Sequence, residues 1–184
     1  NNVRMENRNT TLLTDSLNYD RLYNLGYFFD GGTLMDEQNV LTSEWGEYNP
    51  STKQSVFNYN VKLVNPQFTL TSDTLEYNTQ SKVAEIVGPS DILSDNNHIY
   101  SEQGTYNTAT GKAALYQRSI ITNDAKQLTG DTLFYDRNTG VGEAFSHMEM
   151  RDTINKNMMT GEYGYYNEKT KYAFATDKAV AIDY

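Results

Sequence analysis

There is no cysteine in these 184 residues, so neither a disulfide frame nor a thiolate metal site is available. Only three prolines occur. No apolar run approaches the ~20 residues that a bilayer-spanning helix needs. Lys and Arg number 15 against 24 acids, a net charge of −9, and the clustered cations that phosphate backbones require are missing, which excludes nucleic acid as a partner. His98 and His147 stand alone, without a second ligand at metal-binding spacing. The oxygen-rich stretch Asp91 to Asn96 matches no calcium-loop order. No nucleophile elbow, phosphate-binding loop or dinucleotide fingerprint is present. No catalytic residue, metal or cofactor is therefore expected. The chain opens at Asn1 without a signal peptide and stops inside the apolar run Ala173 to Tyr184, which reads as a piece cut from a longer protein.

What the chain has in abundance is tyrosine, 15 copies, and six of them keep time. Tyr19, Tyr48, Tyr77, Tyr106, Tyr135 and Tyr166 are separated by steps of 29, 29, 29, 29 and 31 residues. Four residues before each stands an acid: Asp15, Glu44, Asp73, Glu102, Asp131, Glu162. Two before it, large and absent side chains alternate: Leu17, Gly46, Leu75, Gly104, Leu133, Gly164. Asp or Asn always follows. A period this regular marks a repeat architecture in which one unit cannot bury its apolar face until neighbours stack on it. Carboxylates that recur once per unit are structural positions, unlike the isolated pair that glycoside hydrolysis needs.

Each unit divides into two strand-like halves joined by a short polar turn, such as Asn78-Thr-Gln-Ser-Lys82 or Asp136-Arg-Asn-Thr-Gly140. An Asn or Asp opening and a Lys or Gly close predict a type I turn ended by a left-handed residue. Columns seven residues before the tyrosine (Leu12, Leu41, Leu70, Ile99, Leu128, Met159) and nine after it (Phe28, Phe57, Ile86, Leu115, Ala144, Ala175) are apolar. So is the column fifteen after it, from Leu34 to Ala181. In the second half the apolar columns share the parity of one strand face, whereas in the first half they do not. The mismatch predicts a bulge or corner at the small-acidic step, Ser43-Glu44, Ser72-Asp73, Ser101-Glu102, Gly130-Asp131 and Gly161-Glu162, with the acid accepting a backbone N–H freed there. The fold expected is all-β, about 12 antiparallel strands in one repeat domain over residues 1–184. At roughly 4.8 Å per strand, the stack is ~30 Å long if strands divide between two sheets and ~55 Å if each crosses both.

The unit small-acid-x-apolar-x-Tyr-Asp/Asn, clearest at Gly130-Asp131-Thr-Leu133-Phe-Tyr135-Asp136 and Ser72-Asp73-Thr-Leu75-Glu-Tyr77-Asn78, resembles the repeats of the OstA-like family of lipopolysaccharide-transport proteins. The resemblance runs from about Leu12 to Tyr184. It implies a V-shaped, two-sheet β-jellyroll, open at both ends, in the Gram-negative periplasm or at the outer membrane. It further implies an apolar interior that holds lipid A acyl chains, and end strands that pair with a second copy or with other OstA-like proteins. This chain departs from the family's bridge protein in its acidity and in its near-perfect repeat.

On that reading, acyl chains lie between Phe57, Tyr77, Ile86, Tyr106, Leu115 and Tyr135. The column nine after the tyrosine shrinks toward Ala144 and Ala175, which would leave the interior roomier at the C-terminal end. Lys53, Lys82, Lys112 and Lys171 would line one rim. Two other classes of function remain open. A structural or adhesive envelope repeat would have a dry, filled core, and a carbohydrate-binding module would cluster aromatic residues such as Trp45 on the solvent side.

Overall fold

The computed structural model describes residues 3–94 and 96–183, and among these every regular element is a strand. In chain order these are β1 (Val3–Asn7), β2 (Thr10–Thr14), β3 (Asn18–Asp20), β4 (Leu25–Phe28), β5 (Gly32–Asp36), β6 (Asn39–Ser43) and β7 (Trp45–Tyr48). The long strands β8 (Gln54–Asn65), β9 (Phe68–Asn78), β10 (Val83–Ser94) and β11 (Asn97–Asn107) follow. After them come β12 (Lys112–Tyr116), β13 (Ile120–Asn123), β14 (Lys126–Thr129), β15 (Thr132–Asp136), β16 (Val141–Asp152), β17 (Asn157–Asn167), β18 (Tyr172–Thr176) and β19 (Val180–Asp183).

Register resolves them into two antiparallel walls. Thirteen rungs form the first, in the order β1, β2, β5, β6, β8, β9, β10, β11, β13, β14, β16, β17, β19. Twelve form the second: β3, β4, β7, β8, β9, β10, β11, β12, β15, β16, β17, β18. The long strands belong to both, so each crosses from wall to wall, and at ~4.8 Å per rung the stack is roughly 60 Å long. The walls meet along one corner and face each other across the core, the V that the resemblance to the OstA-like family implies.

The corner falls at the small-acidic step, but the surplus residue is on the opposite strand from the one expected. Asn58 pairs with Thr74 and Val61 with Ser72, so Tyr59 and Asn60 together face the single Asp73. The same surplus recurs between Val87 and Ser90 and between Phe145 and Met148. The second half of the unit, regular by parity, is therefore the half that bends. At four corners it does so through consecutive left-handed residues, Tyr59 and Asn60 (φ 64° and 52°), Gln117 and Arg118, Ser146 and His147, Asp177 and Lys178, whereas between Val87 and Ser90 the surplus pair is Gly88 and Pro89. A pair of such residues turns the strand while returning its apolar side chains to the same face, which is why the sequence columns hid it. In the first half, Asp73 and Thr74 both point away from the core between buried Ser72 and Leu75, the parity break that the columns showed.

The acids do serve the corner. The backbone N–H of Glu44, Asp131 and Glu162 donates to the carbonyls of Tyr59, Ser146 and Asp177 at 2.9–3.0 Å. Their carboxylates accept from the residue sixteen further on: Asn60 Nδ2 for Glu44, Lys178 Nζ at 3.1 Å for Glu162, with His147 Nδ1 2.6 Å from Asp131. The Lys178 contact, and then its charge, hold the Glu162 carboxyl below the usual range; a hydrogen bond from the His147 backbone N–H also contributes.

The hairpin turns form as their sequences dictate. Asn49, Asn78, Asn107, Asp136 and Asn167 each accept two backbone N–H groups at Oδ1, those two and three residues on. Each turn closes on a left-handed residue, Lys53, Lys82, Gly111, Gly140 and Lys171. Adjacent turns are stitched by single backbone bonds, from Thr79 to Lys53, Thr108 to Lys82, Arg137 to Gly111 and Glu168 to Gly140.

The interior holds the expected columns from Leu12 through Tyr166, but the last unit departs from them: Met159 and Ala175 are only partly buried, and Ala181 is exposed because β19 is an end strand with no further layer to cover it. The alternating glycines are covered as the pattern requires: a Cβ at Gly46 would meet Phe28 at 2.6 Å and Phe57 at 3.0 Å, and one at Gly164 would meet Met148 at 2.6 Å. Met148, itself buried, fills the place over Gly164, the cross-strand partner of Ala144. Tyr19 is the exception among the tyrosines, 48% exposed at the first unit. Asn1, Asn2 and Tyr184, the outer ends of the lead-in and of the last apolar run, lie outside the described residues, as does Asp95 in the oxygen-rich stretch.

Candidate functional site: the sealed mouth of the V

Opposite the corner, the two walls end in two rows of turns, and between these rows lies the mouth of the V. The repeat tyrosines stand on the second wall with their rings in the core and their hydroxyls aimed at the mouth. The first wall's turns reach across to them, layer after layer.

Asn7 Nδ2 donates to Tyr48 Oη at 3.3 Å and to the Pro50 carbonyl at 3.1 Å. In the next layer Tyr77 Oη donates to Asp36 Oδ2 at 2.7 Å and accepts from Asn39 Nδ2 at 3.0 Å. Asn39 also donates to Thr108 Oγ1, and Lys82 Nζ spans the mouth to both Asp36 oxygens at 2.9 and 2.7 Å. Tyr106 accepts from Arg137 Nη1 at 3.0 Å while its ring meets Phe68 edge-on at 4.8 Å, and the Arg137 guanidinium lies 5.7 Å from the Phe68 ring centre. Asn97 Nδ2 donates to Tyr135 Oη and to Glu168 Oε2, each at 2.8 Å. At the fifth layer Lys126 Nζ sits 5.5 Å from the centre of the Tyr166 ring. Paired amides link successive turns of the first wall, Asn65 to Asn39 and Asn123 to Asn97.

Electrostatics follow from this enclosure. Burial, first of all, raises the Tyr77 and Tyr135 phenols well above the ordinary tyrosine value, and the neighbouring Asp36 and Glu168 carboxylates push the same way. Burial raises Tyr106 too, against the opposing Arg137 charge. Asp36 and Lys82 form a nearly enclosed ion pair, their side chains 2% and 17% exposed. Of the four lysines expected on one rim, Lys82 is thus committed to the mouth, while Lys112 lies 3.9 Å from Asp136 on the outer face.

All six residues named for acyl contact, Phe57, Tyr77, Ile86, Tyr106, Leu115 and Tyr135, are brought together in this interior and are at most 4% exposed. Beside them lies a small void of about 10 Å³ among Ile121, Leu128, Tyr135, Gly142, Met150 and Tyr166. There the Tyr166 hydroxyl and Asn123 Oδ1 are buried without a hydrogen-bond partner. The residues that close the mouth, Asn39, Asn97, Asp36 and Glu168, carry no signal in a single unit. The double period does carry one, since Asn39 and Asn97, and likewise Asn65 and Asn123, are 58 residues apart. Among the described residues no group of three or more His, Cys, Asp or Glu could hold a metal ion. Among the described residues no helix is long and apolar enough to cross a membrane.

The model of a family described as OstA-like protein matches residues 1–73 and again residues 69–131, together 131 of the 184 residues. No curated protein matches. Among solved structures, the crystal structure of LptH, described as the LptA homologous periplasmic component of the conserved lipopolysaccharide transport device from Pseudomonas aeruginosa, is similar at 12% identity and a TM-score of 0.36. That similarity covers 81% of this chain and 97% of the other. A superposition this loose says nothing about individual residues, and the family match stands on the sequence pattern.

Proposed function

The chain belongs to the OstA-like family, and from that premise we propose that it is a periplasmic lipopolysaccharide-binding and transport component, a single repeat domain that binds rather than catalyses. Acyl chains lodge between the two walls against Phe57, Tyr77, Ile86, Tyr106, Leu115 and Tyr135. The observation that carries this reading is how the mouth is closed. Along the corner the walls share continuous backbone, but the described bonds that join them across the mouth each use a side chain. Parting them there breaks a few side-chain bonds per layer and no rung of either ladder. An entering chain gains ~0.8 kcal/mol per methylene removed from water, so about ten methylenes gain roughly 8 kcal/mol. Typical side-chain bonds contribute ~0.5–1.5 kcal/mol each, which makes the exchange feasible. Opening starts at the void beside Tyr166, where the layer is held least.

End strands support assembly with a second copy or another OstA-like protein. Among the described residues β1 and β3 at one end, and β18 and β19 at the other, pair on one side only. An unpaired strand is a template for another.

One observation favours a rival, a structural envelope repeat with a dry core: the six named residues are at most 4% exposed and the void beside them is small. Photo-crosslinking separates the two. A photoreactive residue at Tyr106 or Leu115 captures labelled lipopolysaccharide, and one at the exposed corner residue Gln117 does not. Equal capture from all three positions sinks the acyl interior, and organic extracts without bound lipid favour the dry core.

A further inference from the structure

Outside the second wall, across the sheet from the core, the C-terminal half of the stack carries a continuous run of aromatic rings. Phe134 meets Phe145 edge-on at 5.7 Å, Phe145 lies 5.0 Å from Tyr163, Tyr163 lies 5.8 Å from Phe174, and Phe174 stacks on Tyr165 at 5.3 Å. Phe134 and Phe145 are 41% and 37% exposed. At Phe134 the run stops abruptly, because its cross-strand partner on β12 is Ala114, which in turn faces Thr105 on β11. The step from ring to methyl opens a cleft of about 700 Å³, within the range of small-ligand sites.

The chemistry of this cleft is mixed in a specific way. Phe134, Ala114, Val83 and Val141 line it together with Asn107, Lys112, Asp136 and Glu143. Glu143 is fixed in place, for Tyr163 Oη donates to its Oε1 at 2.6 Å. Cations are outnumbered by carboxylates, which disfavours phosphate and other anions. Much of the lining is apolar, but an acyl chain laid across the cleft would leave Glu143, Asp136, Lys112 and Asn107 facing hydrocarbon, which can give them no partner. A ligand that satisfies such a set must donate and accept at many points while presenting one flat, weakly apolar face. A pyranose ring does this: its hydroxyls serve carboxylate, amide and ammonium groups, and its axial C–H bonds pack on an aromatic face.

We propose that the cleft is a saccharide site, taking an uncharged, hydroxyl-rich oligosaccharide with one sugar ring against Phe134 and its hydroxyls on Glu143, Asp136, Lys112 and Asn107. The site is independent of the acyl interior and does not rest on it.

The test uses the whole chain and a panel of uncharged glucose, mannose and N-acetylglucosamine oligomers, read by saturation-transfer NMR and by titration. At least one oligomer shows transfer to its ring protons. Phe134→Ala weakens that binding about tenfold or more, equivalent to ~1.4 kcal/mol. Ala114→Arg, which stands an outward side chain in the cleft, abolishes it. Circular dichroism of both variants matches the parent, and capture of lipopolysaccharide from Leu115 is unchanged in both, which keeps the two sites distinguishable. Absence of transfer from every oligomer at millimolar concentration overturns the proposal, as does binding that survives both substitutions. A dimer that Phe134→Ala dissociates would make the face an interface between copies and overturn it as well.

Discussion

Tyr77 shows how much one side chain is asked to do. Its ring fills the core, and its hydroxyl serves both Asp36 and Asn39 on the opposite wall. Tyr77→Phe keeps the packing and leaves buried polar partners short of a bond, so a loss of ~1–3 kcal/mol is expected in urea unfolding. The raised phenols also set a pH dependence. The folded chain keeps the protons of Tyr77, Tyr106, Tyr135 and Tyr166 where the unfolded chain releases them. Their contribution is therefore complete below pH ~10 and is lost as pH rises through the folded values, at ~1.4 kcal/mol per pH unit for each tyrosine. Urea midpoints should fall steeply above pH ~10, and Tyr77→Phe should make the slope shallower by about one tyrosine. An alkaline limb identical in the two proteins would show that this phenol titrates freely. The Lys82 and Asp36 pair makes a sharper case. Lys82→Met strands an enclosed carboxylate and should cost ~3–5 kcal/mol, whereas Lys82→Met with Asp36→Leu should cost much less.

At the level of the element, the unit is a hairpin bent, at four corners, by two left-handed residues and filled by an alternation of leucine and glycine. Asn60 at φ 52° tolerates the left-handed well better than a β-branched side chain does. Asn60→Val should destabilise by ~1–2 kcal/mol in urea melts, while Asn60→Gly should cost only a few tenths; equal costs would mean that the corner relaxes. The alternation has its own signature. Gly46→Leu drives a side chain into Phe28 and Phe57 and should cost ~1–3 kcal/mol, and adding Phe28→Ala should recover part of it. Turn chemistry and inward columns were legible in the sequence because each is a local pattern with its own period. The corner was only half legible. Parity located the break at Ser72-Asp73, but a pair of left-handed residues preserves parity, so the strand that bends looked regular.

On the scale of the whole molecule, the walls are continuous at the corner and held at the mouth by contacts about seventy residues apart in sequence, such as Asn39 to Thr108, Gln67 to Arg137 and Asn97 to Glu168. This asymmetry predicts how the V opens. Because the chain has no native cysteine, Asn39→Cys with Thr108→Cys gives a clean lock across the mouth, at side chains that already touch at 3.1 Å. The oxidised form should lose photo-capture of lipopolysaccharide from Leu115, and reduction should restore it. Undiminished capture by the oxidised protein would mean that chains reach the interior by another route, such as the open ends.

The repeat alone determined the strand content, the turns, the inward columns and the family, because all of these follow from spacing along one unit and from the need of each unit to bury its apolar face on the next. Tertiary structure decided the rest. It chose which strand of each pair carries the corner and let Met148 fill the place over Gly164. It set Asp36, Asn39, Asn97 and Glu168 against tyrosines 33 to 41 residues away, more than one unit along the chain, and it left a step between Phe134 and Ala114 on the outer face. Those features depend on which side chains meet across walls and between neighbouring rungs, and a period read along the chain does not record what faces what through space.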